Sequence, residues 1–443
     1  MEPKVKREAD RRFDGSANPF DSVVSLPILA ARLAGAAVVV AALLSGSQLL
    51  EWVAVPMLLW TAIVVWGRHV IFAENLECLP YLSAEVPREA VPQPVPGVSI
   101  IVPARNEAVG IEPAARALAA IEYPRLEIII IEDHSSDATP QILQRMARDF
   151  PRLHVLAAPD LPEGWTGKTN ASAFGFQQSS PDSRWLLFTD ARVMFHRSSV
   201  WSAIAHAEAN HLDFLSCILR YEGKGLAEEL LTVIQNCGLV ISARAFGGGP
   251  PAYPYGLGGF SLIRRDLYEA CGGYAGFSGN ALEDFMLAKA AHRAGGATGA
   301  AIASEIVSIR RYHGFSDVRR RLVRSFRIAA SDSVLDLVNR MSLHFCLGLL
   351  PLPVVAASVL SMAARGFQPA LALMMILALL AYFAGTCTPR SCRRICDCRS
   401  LVVWLHPLGA ALCIFLVLSA IGERLRGKAI SWRDRQIDAP KAA

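Results

Sequence analysis

Long apolar stretches near both ends place the strongest constraint on the fold of this 443-residue chain. Each stretch is close to the roughly 20 residues that an α-helix needs to cross the hydrocarbon core of a bilayer. Only 19% of the residues are charged, whereas roughly a quarter is typical of soluble domains. We therefore predict a membrane protein with four or five membrane-embedded helices and one soluble domain between them. The stretches are residues 26–44, 49–66, 343–364, 367–386 and 401–421.

The distribution of lysine and arginine predicts the orientation. Basic residues cluster in the tail 1–25, in the loop 390–399 and after residue 421, and such residues are enriched on the cytoplasmic side of membranes. We expect an integral protein of the cytoplasmic membrane whose middle domain faces the cytoplasm. The net charge of +5 is assigned to membrane orientation and anionic headgroups, not to nucleic acid.

The C-terminal apolar stretches conflict with this orientation. Three full spans after a cytoplasmic domain would place the basic C-terminal tail outside, so either one stretch does not span or the charge rule fails here. The stretch 343–364 is broken by Pro351 and Pro353, and we expect it to be re-entrant or interfacial.

The domain organisation follows from these patterns. We expect a basic tail (1–25), a transmembrane hairpin (26–73), a soluble α/β domain (93–330), membrane helices with two or three spans (331–422) and a second basic tail (423–443). The ten cysteines are scattered and are expected to be reduced thiols. Cys387, Cys392, Cys396 and Cys398 lack the spacing of paired C-x₂-C knuckles, so metal binding by this cluster is not favoured.

The middle domain alternates apolar strands and amphipathic helices. Strands are predicted at 98–102, 126–131 and 154–157, and helices at 111–121 and 140–149, with Thr139 as the N-cap of the second helix. This alternation is typical of a mostly parallel, doubly wound sheet with helices on both faces. Ligands of such sheets bind beyond the carboxyl ends of the strands.

Charged residues follow the predicted strands and are candidates for a nucleotide site. Asp133 follows the second strand and Asp190 follows the apolar run 185–188. Carboxylates can accept hydrogen bonds from a base or ribose and can help to hold a cation. The alternative is that 132–137 forms only a turn and helix cap, and that Asp190 is a turn residue. Lys168, between Gly167 and a predicted helix, could contact a diphosphate or be a solvated loop lysine. The residues around Lys168 lack the G-x-x-x-x-G-K-[ST] spacing of a Walker P-loop, so an ATPase site is not favoured.

Several motifs resemble those of family 2 glycosyltransferases of the GT-A type. Pro103-Ala104-Arg105-Asn106-Glu107 is similar to the family's P-x-x-N-E, and 132–139 is similar to D-D-x-S-x-D-x-T, with Glu132 in place of the first aspartate. The resemblance implies a GT-A domain in which Asp133 contacts the base and Glu107 takes part in substrate binding. The segment containing Lys168 resembles the ceramide glucosyltransferase and hopanoid-biosynthesis-associated branch, which implies that Lys168 contacts the diphosphate.

Two further motifs depart from the family pattern. Asp190-Ala191-Arg192 stands where the family has D-x-D, so the resemblance implies that Asp190 binds Mg²⁺ or Mn²⁺ alone, with phosphate oxygens and waters, or that Arg192 itself neutralises phosphate. Residues 321–325 stand where the family has (Q/R)-x-x-R-W. Arg321 and Arg324 match the basic positions, and Ser325 replaces the tryptophan. Substrate binding by this segment and a basic segment that lies on anionic lipid are therefore equal alternatives.

The resemblance also implies the reaction. Glu283 and Asp284 match the family's E-D pair, of which Asp284 would be the general base and Glu283 its catalytic neighbour, while glycines at 256–259 would let the acceptor approach. We expect an inverting hexosyltransferase that moves a sugar from a nucleotide diphosphate sugar, foremost a UDP-sugar, to a lipid or polyisoprenoid acceptor. A processive polysaccharide synthase and a non-catalytic nucleotide-sugar-binding membrane protein are the alternatives.

Overall fold

The computed structural model describes residues 26–243, 255–280, 282–330, 333–432 and 435–437. The predicted basic tail 1–25 lies outside the described residues, as do residues 433–434 and 438–443 of the second basic tail.

A seven-stranded sheet forms the centre of the middle domain, in the order β3-β2-β1-β4-β8-β6-β9. Its strands are β1 (Gly97–Ala104), β2 (Leu126–Glu132), β3 (Leu153–Ala157), β4 (Ser183–Phe188), β6 (Phe214–Ile218), β8 (Ser261–Arg264) and β9 (Thr298–Ile302). Strand β8 is antiparallel to both of its neighbours, and the other pairs are parallel. The predicted mostly parallel α/β sheet is therefore confirmed.

Helices cover both faces of this sheet, as the alternating pattern predicts. They are α3 (Ile111–Ala119), α4 (Thr139–Asp149), α5 (Gly167–Gln177), α6 (Ser199–Ala209), α8 (Arg265–Ala270) and α9 (Glu283–Arg293). Two further helices of this part of the chain, α7 (Leu226–Ala243) and α10 (Phe315–Ala329), pack against apolar C-terminal residues such as Leu416 and Val417. The prediction that Thr139 caps α4 is wrong, because Thr139 is the first residue of that helix and Ala138 is its N-cap. The Thr139 hydroxyl accepts a hydrogen bond from the Glu107 backbone N–H instead.

A second sheet of four short strands joins the soluble domain to the C-terminal part of the chain. Its order is β11-β7-β10-β5, with β5 (Val193–Phe195), β7 (Arg220–Glu222), β10 (Val307–Arg310) and β11 (Cys396–Asp397). Strand β11 follows a membrane helix and pairs with β7, where Cys396 lies opposite Tyr221. This pairing fixes the loop after that helix against the soluble domain.

The remaining helices are apolar and lie at the two ends of the chain. They are α1 (Leu26–Ser45), α2 (Gln48–Cys78), α11 (Val334–His344), α12 (Pro351–Arg365), α13 (Pro369–Cys392), α14 (Leu401–Trp404) and α15 (His406–Leu425). Among the described residues, α2, α13 and α15 are long and apolar enough to cross a membrane. A 49° bend separates Val334–Leu349 from α12, at the prolines predicted to break a span. The number of spans and their orientation stay predictions.

The core of the soluble domain extends into the apolar helices. Phe72 and Leu76 near the end of α2 are fully buried and belong to the same hydrophobic cluster as Ile100 of β1 and Ile128 of β2. At 31 residues, α2 is about 46 Å long, which exceeds the roughly 30 Å hydrocarbon core. Its last turns therefore belong to the soluble domain, which holds the carboxyl ends of the strands in a fixed position relative to the membrane helices.

Candidate active site

The loops after β1 and β2 form one hydrogen-bonded unit at the carboxyl ends of these parallel strands. Asn106 N–H donates to the Ser135 hydroxyl at 3.0 Å and Ala108 N–H donates to Asp137 Oδ2 at 3.1 Å. Arg105 donates to the carbonyl oxygen of Asp133 at 2.7 Å. Part of the acidic segment 132–139 thus makes a turn and caps the neighbouring loop, as the structural alternative predicts.

Asp133 differs from the rest of that segment, because its side chain borders the central cavity. The residue is only 3% exposed, and its Oδ1 lies 3.4 Å from His134 Nδ1. A buried carboxylate at the end of a strand can accept hydrogen bonds from an N–H group of a base.

Lys168 is the centre of the site. It is the second residue of α5, which begins after the N-cap Thr166, whose hydroxyl accepts a hydrogen bond from Thr169 N–H at 3.2 Å. Lys168 Nζ lies 3.0 Å from Asp190 Oδ1, 2.8 Å from Glu283 Oε1 and 2.9 Å from Asp284 Oδ2. Residues more than a hundred positions apart in sequence are thereby joined in one charged cluster.

The cluster perturbs the titration of its members in opposite directions. Burial raises the pKa of Asp284 to about 7, and the negative charges of Glu283 and Asp190 add to this effect, although Lys168 opposes it. Burial would also raise the pKa of Asp190, but the charges of Lys168, Arg192 and Arg311 lower it below its usual value. Burial alone would lower the pKa of Lys168, and the three carboxylates raise it well above normal. Asp190 is therefore ionised at neutral pH, while Asp284 can take up and release a proton.

The glycines at 256–259 fit tightly against this cluster. A Cβ atom on Gly258 would lie 2.2 Å from Asp284 Oδ2 and 2.8 Å from Lys168 Nζ. A Cβ atom on Gly256 would lie 2.1 Å from the carbonyl oxygen of Asp284. No larger residue fits there without displacing the cluster.

Arg192 occupies the position of the missing second D-x-D carboxylate and is itself paired. Its Nε lies 3.3 Å from Glu107 Oε2, and both side chains are 11% exposed. Its guanidinium also donates to the carbonyl oxygen of Arg311 at 3.0 Å. Within the described ranges, no group of three or more His, Cys, Asp or Glu side chains is arranged to hold a metal ion. The donor set at Asp190 therefore does not fit a divalent cation unaided, and the predicted cation stays a prediction.

One cavity of about 810 Å³ brings all the predicted site residues together. Its lining includes Glu107, Asp133, Lys168, Asp190, Arg192, Glu283, Asp284, Arg321 and Arg324. The same cavity continues between α2, α11, α13 and α15, where Arg68, Arg340, His344 and His406 border it among apolar side chains. In α10, Arg321 Nε lies 2.9 Å from Asp317 Oδ1. The roles assigned to the predicted residues stay predictions.

Sequence reasoning missed four arginines that line this cavity, among them Arg68 and Arg311. Arg311 directly follows β10, and its guanidinium lies 4.7 Å from the ring centre of Tyr221 and donates to the Tyr221 hydroxyl at 3.3 Å. The available signals were weak: a basic residue at a strand end for Arg311, and an arginine within a long apolar helix for Arg68.

The cysteines carry no sign of a disulfide framework. All ten are free, and the sulfur atoms of Cys392 and Cys396 lie 3.5 Å apart. The prediction of reduced thiols is consistent with this arrangement.

Comparison with known proteins assigns the domain. Residues 99–272 match the family model described as Glycosyl transferase family 2, and the match ends before Glu283 and Asp284. The chain is 30% identical to a beta-monoglucosyldiacylglycerol synthase from Synechocystis over 156 residues, which are 31% of this chain and 32% of that protein. It is 28% identical over 129 residues to a GalNAc(5)-diNAcBac-PP-undecaprenol beta-1,3-glucosyltransferase from Campylobacter jejuni, which are 29% of this chain and 40% of that protein.

The chain thus spans about a third of the length of the Synechocystis relative. A solved mannosyltransferase from Pyrobaculum calidifontis, in complex with GDP-Man and Mn²⁺, aligns with 84% of this chain and 99% of its own at 20% identity and a TM-score of 0.49. The family match identifies residues 99–272 as a family 2 glycosyltransferase domain, and the ordered motifs and the mostly parallel sheet agree with it.

Proposed function

We propose that this protein is an inverting glycosyltransferase that moves a sugar from a nucleotide diphosphate sugar to a lipid or polyisoprenoid acceptor. The observation that carries the proposal is the single cavity that begins at Asp133 and Asp190 and continues between the apolar helices. A water-soluble donor can enter from the domain side, while an acceptor with a lipid tail can enter from the membrane side. We infer a UDP-sugar donor and a cytoplasmic active site, in accord with the basic loop 390–399.

Asp284 has the properties of the general base in this proposal. The hydroxyl oxygen of the acceptor attacks the anomeric carbon, the hydroxyl proton passes to the Asp284 carboxylate, and the bond from the anomeric carbon to the diphosphate oxygen breaks with its electron pair on that oxygen. A pKa of about 7 suits a base that works near neutral pH. Glu283 and Lys168 orient this carboxylate through the shared ammonium contacts.

The other residues divide between the two substrates. Asp133 would bind the base, Lys168 the diphosphate and Asp190 the donor, with Glu107 fixing the Arg192 side chain. Arg321 and Arg324, on the helix between the two halves of the cavity, would bind the acceptor headgroup.

The test is a transfer assay with the full-length protein in lipid nanodiscs. Labelled UDP- and GDP-sugars are supplied with a membrane lipid extract, and products are identified by mass spectrometry. We expect a glycolipid from the wild type, and a loss of at least about a thousandfold for Asp284→Asn, which keeps the size of the side chain but removes the base. The control is Asp149→Asn, at an exposed position at the end of α4.

The outcomes separate the competing functions. Absence of glycolipid across the donors, or full activity in Asp284→Asn, would refute the proposal. Long polymer as the main product would support a polysaccharide synthase, and nucleotide-sugar binding without turnover would support a non-catalytic binding protein.

A further inference from the structure

The carboxylates of this site converge on an ammonium group and leave no open position among them. Oxygen atoms of Asp190, Glu283 and Asp284 all lie within 3.0 Å of Lys168 Nζ. A divalent cation bound at the same point would have to displace this ammonium, which already neutralises part of the negative charge of the three carboxylates. Lys168 thus occupies the centre that a metal ion would need.

Arg192 stands at the position of the second D-x-D carboxylate and places another positive charge at the same edge of the sheet. Its ion pair with Glu107 and its hydrogen bond to the Arg311 carbonyl oxygen hold the guanidinium beside the cavity. Because Arg192 is largely buried, this arrangement is part of the packed structure and not a surface substitution.

Arg311 borders the cavity, and its direct hydrogen-bond partners carry no charge. Its side chain lines the cavity, and its guanidinium donates to the Tyr221 hydroxyl at 3.3 Å and to Gln235 Oε1 at 3.5 Å, both of which are neutral groups. Throughout the described ranges, no Asp or Glu oxygen lies within 4.0 Å of its nitrogen atoms. A half-buried guanidinium without a carboxylate partner favours an anion in the adjoining cavity.

We propose that Arg311, with Arg192 and Lys168, binds the diphosphate of the donor and neutralises it without a divalent cation. This inference rests on the proposed function only in that the ligand is a nucleoside diphosphate. Guanidinium groups suit the task because they form bidentate hydrogen bonds with phosphate oxygens. When the bond to the anomeric carbon breaks, its electron pair stays on the diphosphate, and the three cations stabilise the charge that develops there.

The test measures binding of UDP and GDP to the full-length protein in nanodiscs by calorimetry, once with EDTA and once with Mn²⁺. We expect the Kd of the wild type to differ less than about threefold between the two conditions. Arg311→Met should weaken binding at least about tenfold, because it removes a charged hydrogen-bond donor, and Arg311→Lys should recover part of the loss. The control is Arg220→Met, an exposed arginine on the neighbouring strand β7 that pairs with Asp397.

A second variant tests the metal requirement directly. Arg192→Asp restores a D-x-D pattern, and we expect it to bind nucleotide weakly in EDTA and more tightly when Mn²⁺ is present. The Mn²⁺ itself is followed by electron paramagnetic resonance, which reports bound ion independently of activity.

The result that would overturn this inference is nucleotide binding by the wild type that disappears in EDTA and returns with Mn²⁺. Equal binding by Arg311→Met and Arg220→Met would also overturn it. Either result leaves the proposed sugar transfer intact, whereas metal-free binding without any glycolipid product refutes the transfer and supports this inference. Failure of every nucleoside diphosphate to bind overturns both.

Discussion

The two ends of the cavity differ in the charge and pairing of the side chains that line them. At the domain end, charged side chains lie within 3.3 Å of one another, as in the contacts of Lys168 with three carboxylates and of Arg192 with Glu107. At the membrane end, Arg68 and His344 lie among apolar side chains such as Val65, Leu343 and Leu347. The first end is crowded and tightly paired, and the second is largely apolar with a few basic side chains among the apolar ones.

This difference indicates what each end can tolerate. A small displacement at the domain end disturbs several ion pairs at once, because they share one ammonium. At the membrane end, loss of one side chain removes one contact and leaves an apolar surface, which would still fit the lipid tail of the proposed acceptor. We therefore expect substitutions at the domain end to change the rate of the chemical step and substitutions at the membrane end to change only the affinity for the acceptor.

After Asp284→Asn, the largest effect is expected for Gly258→Ala. Its Cβ atom would lie 2.2 Å from Asp284 Oδ2, so the carboxylate must move away from Lys168 or the glycine loop must shift. Misplacement of a catalytic group by about 1 Å lowers a rate by about a hundredfold, and we expect a loss of that size in kcat/KM. The matched control is Gly422→Ala in α15, where a Cβ atom meets nothing within 4 Å. Equal transfer rates for the two variants would show that the domain end is less tightly packed than its distances indicate.

The pH dependence of kcat/KM should also depend on the domain end of the cavity, where Asp284 lies. Asp284 accepts a proton only as a carboxylate, and its pKa is about 7. We expect kcat/KM to rise with pH through 7, with a fall of about tenfold for each pH unit well below the pKa. Asp190, whose pKa is lowered, stays ionised over this window.

Donor binding, measured by calorimetry over the same pH range, provides the control for this profile. Transfer that is independent of pH between 6 and 8, with donor binding unchanged, would show that Asp284 is not the base.

The sequence reveals the domain end far better than the membrane end, for a physical reason. The strands β1, β2 and β4 are recognisable as apolar runs, and the carboxyl ends of parallel strands must meet at one edge of the sheet. Asp133 and Asp190 follow directly from this geometry. Glu283 and Asp284 were assigned by resemblance alone, because no local pattern places α9 beside Lys168.

Other features escaped prediction because they depend on tertiary structure. The four-stranded sheet is built from strands of two to four residues, too short for a periodic signal. Arg68 and Arg311 are more than two hundred positions apart in the sequence, and only the packing of α2 against the domain brings both to one cavity.

The smallest effect is expected for Arg68→Met at the membrane end. Arg68 borders the cavity from α2, and an arginine within an apolar helix most often serves a substrate or a water-filled space. Methionine keeps the length and apolar packing of the side chain but removes the charge.

If Arg68 attracts the polar headgroup of the acceptor, KM for the acceptor should rise by about three- to tenfold, since one partly hydrated charged contact is worth about 1 kcal/mol. The KM for the donor and kcat should stay unchanged, because the ion pairs around Lys168 are not touched. The control is Arg426→Met, at an exposed arginine outside the lining of the cavity. A fall in kcat for Arg68→Met, with acceptor KM unaltered, would mean that the two ends act as one unit and that the division drawn between them is wrong.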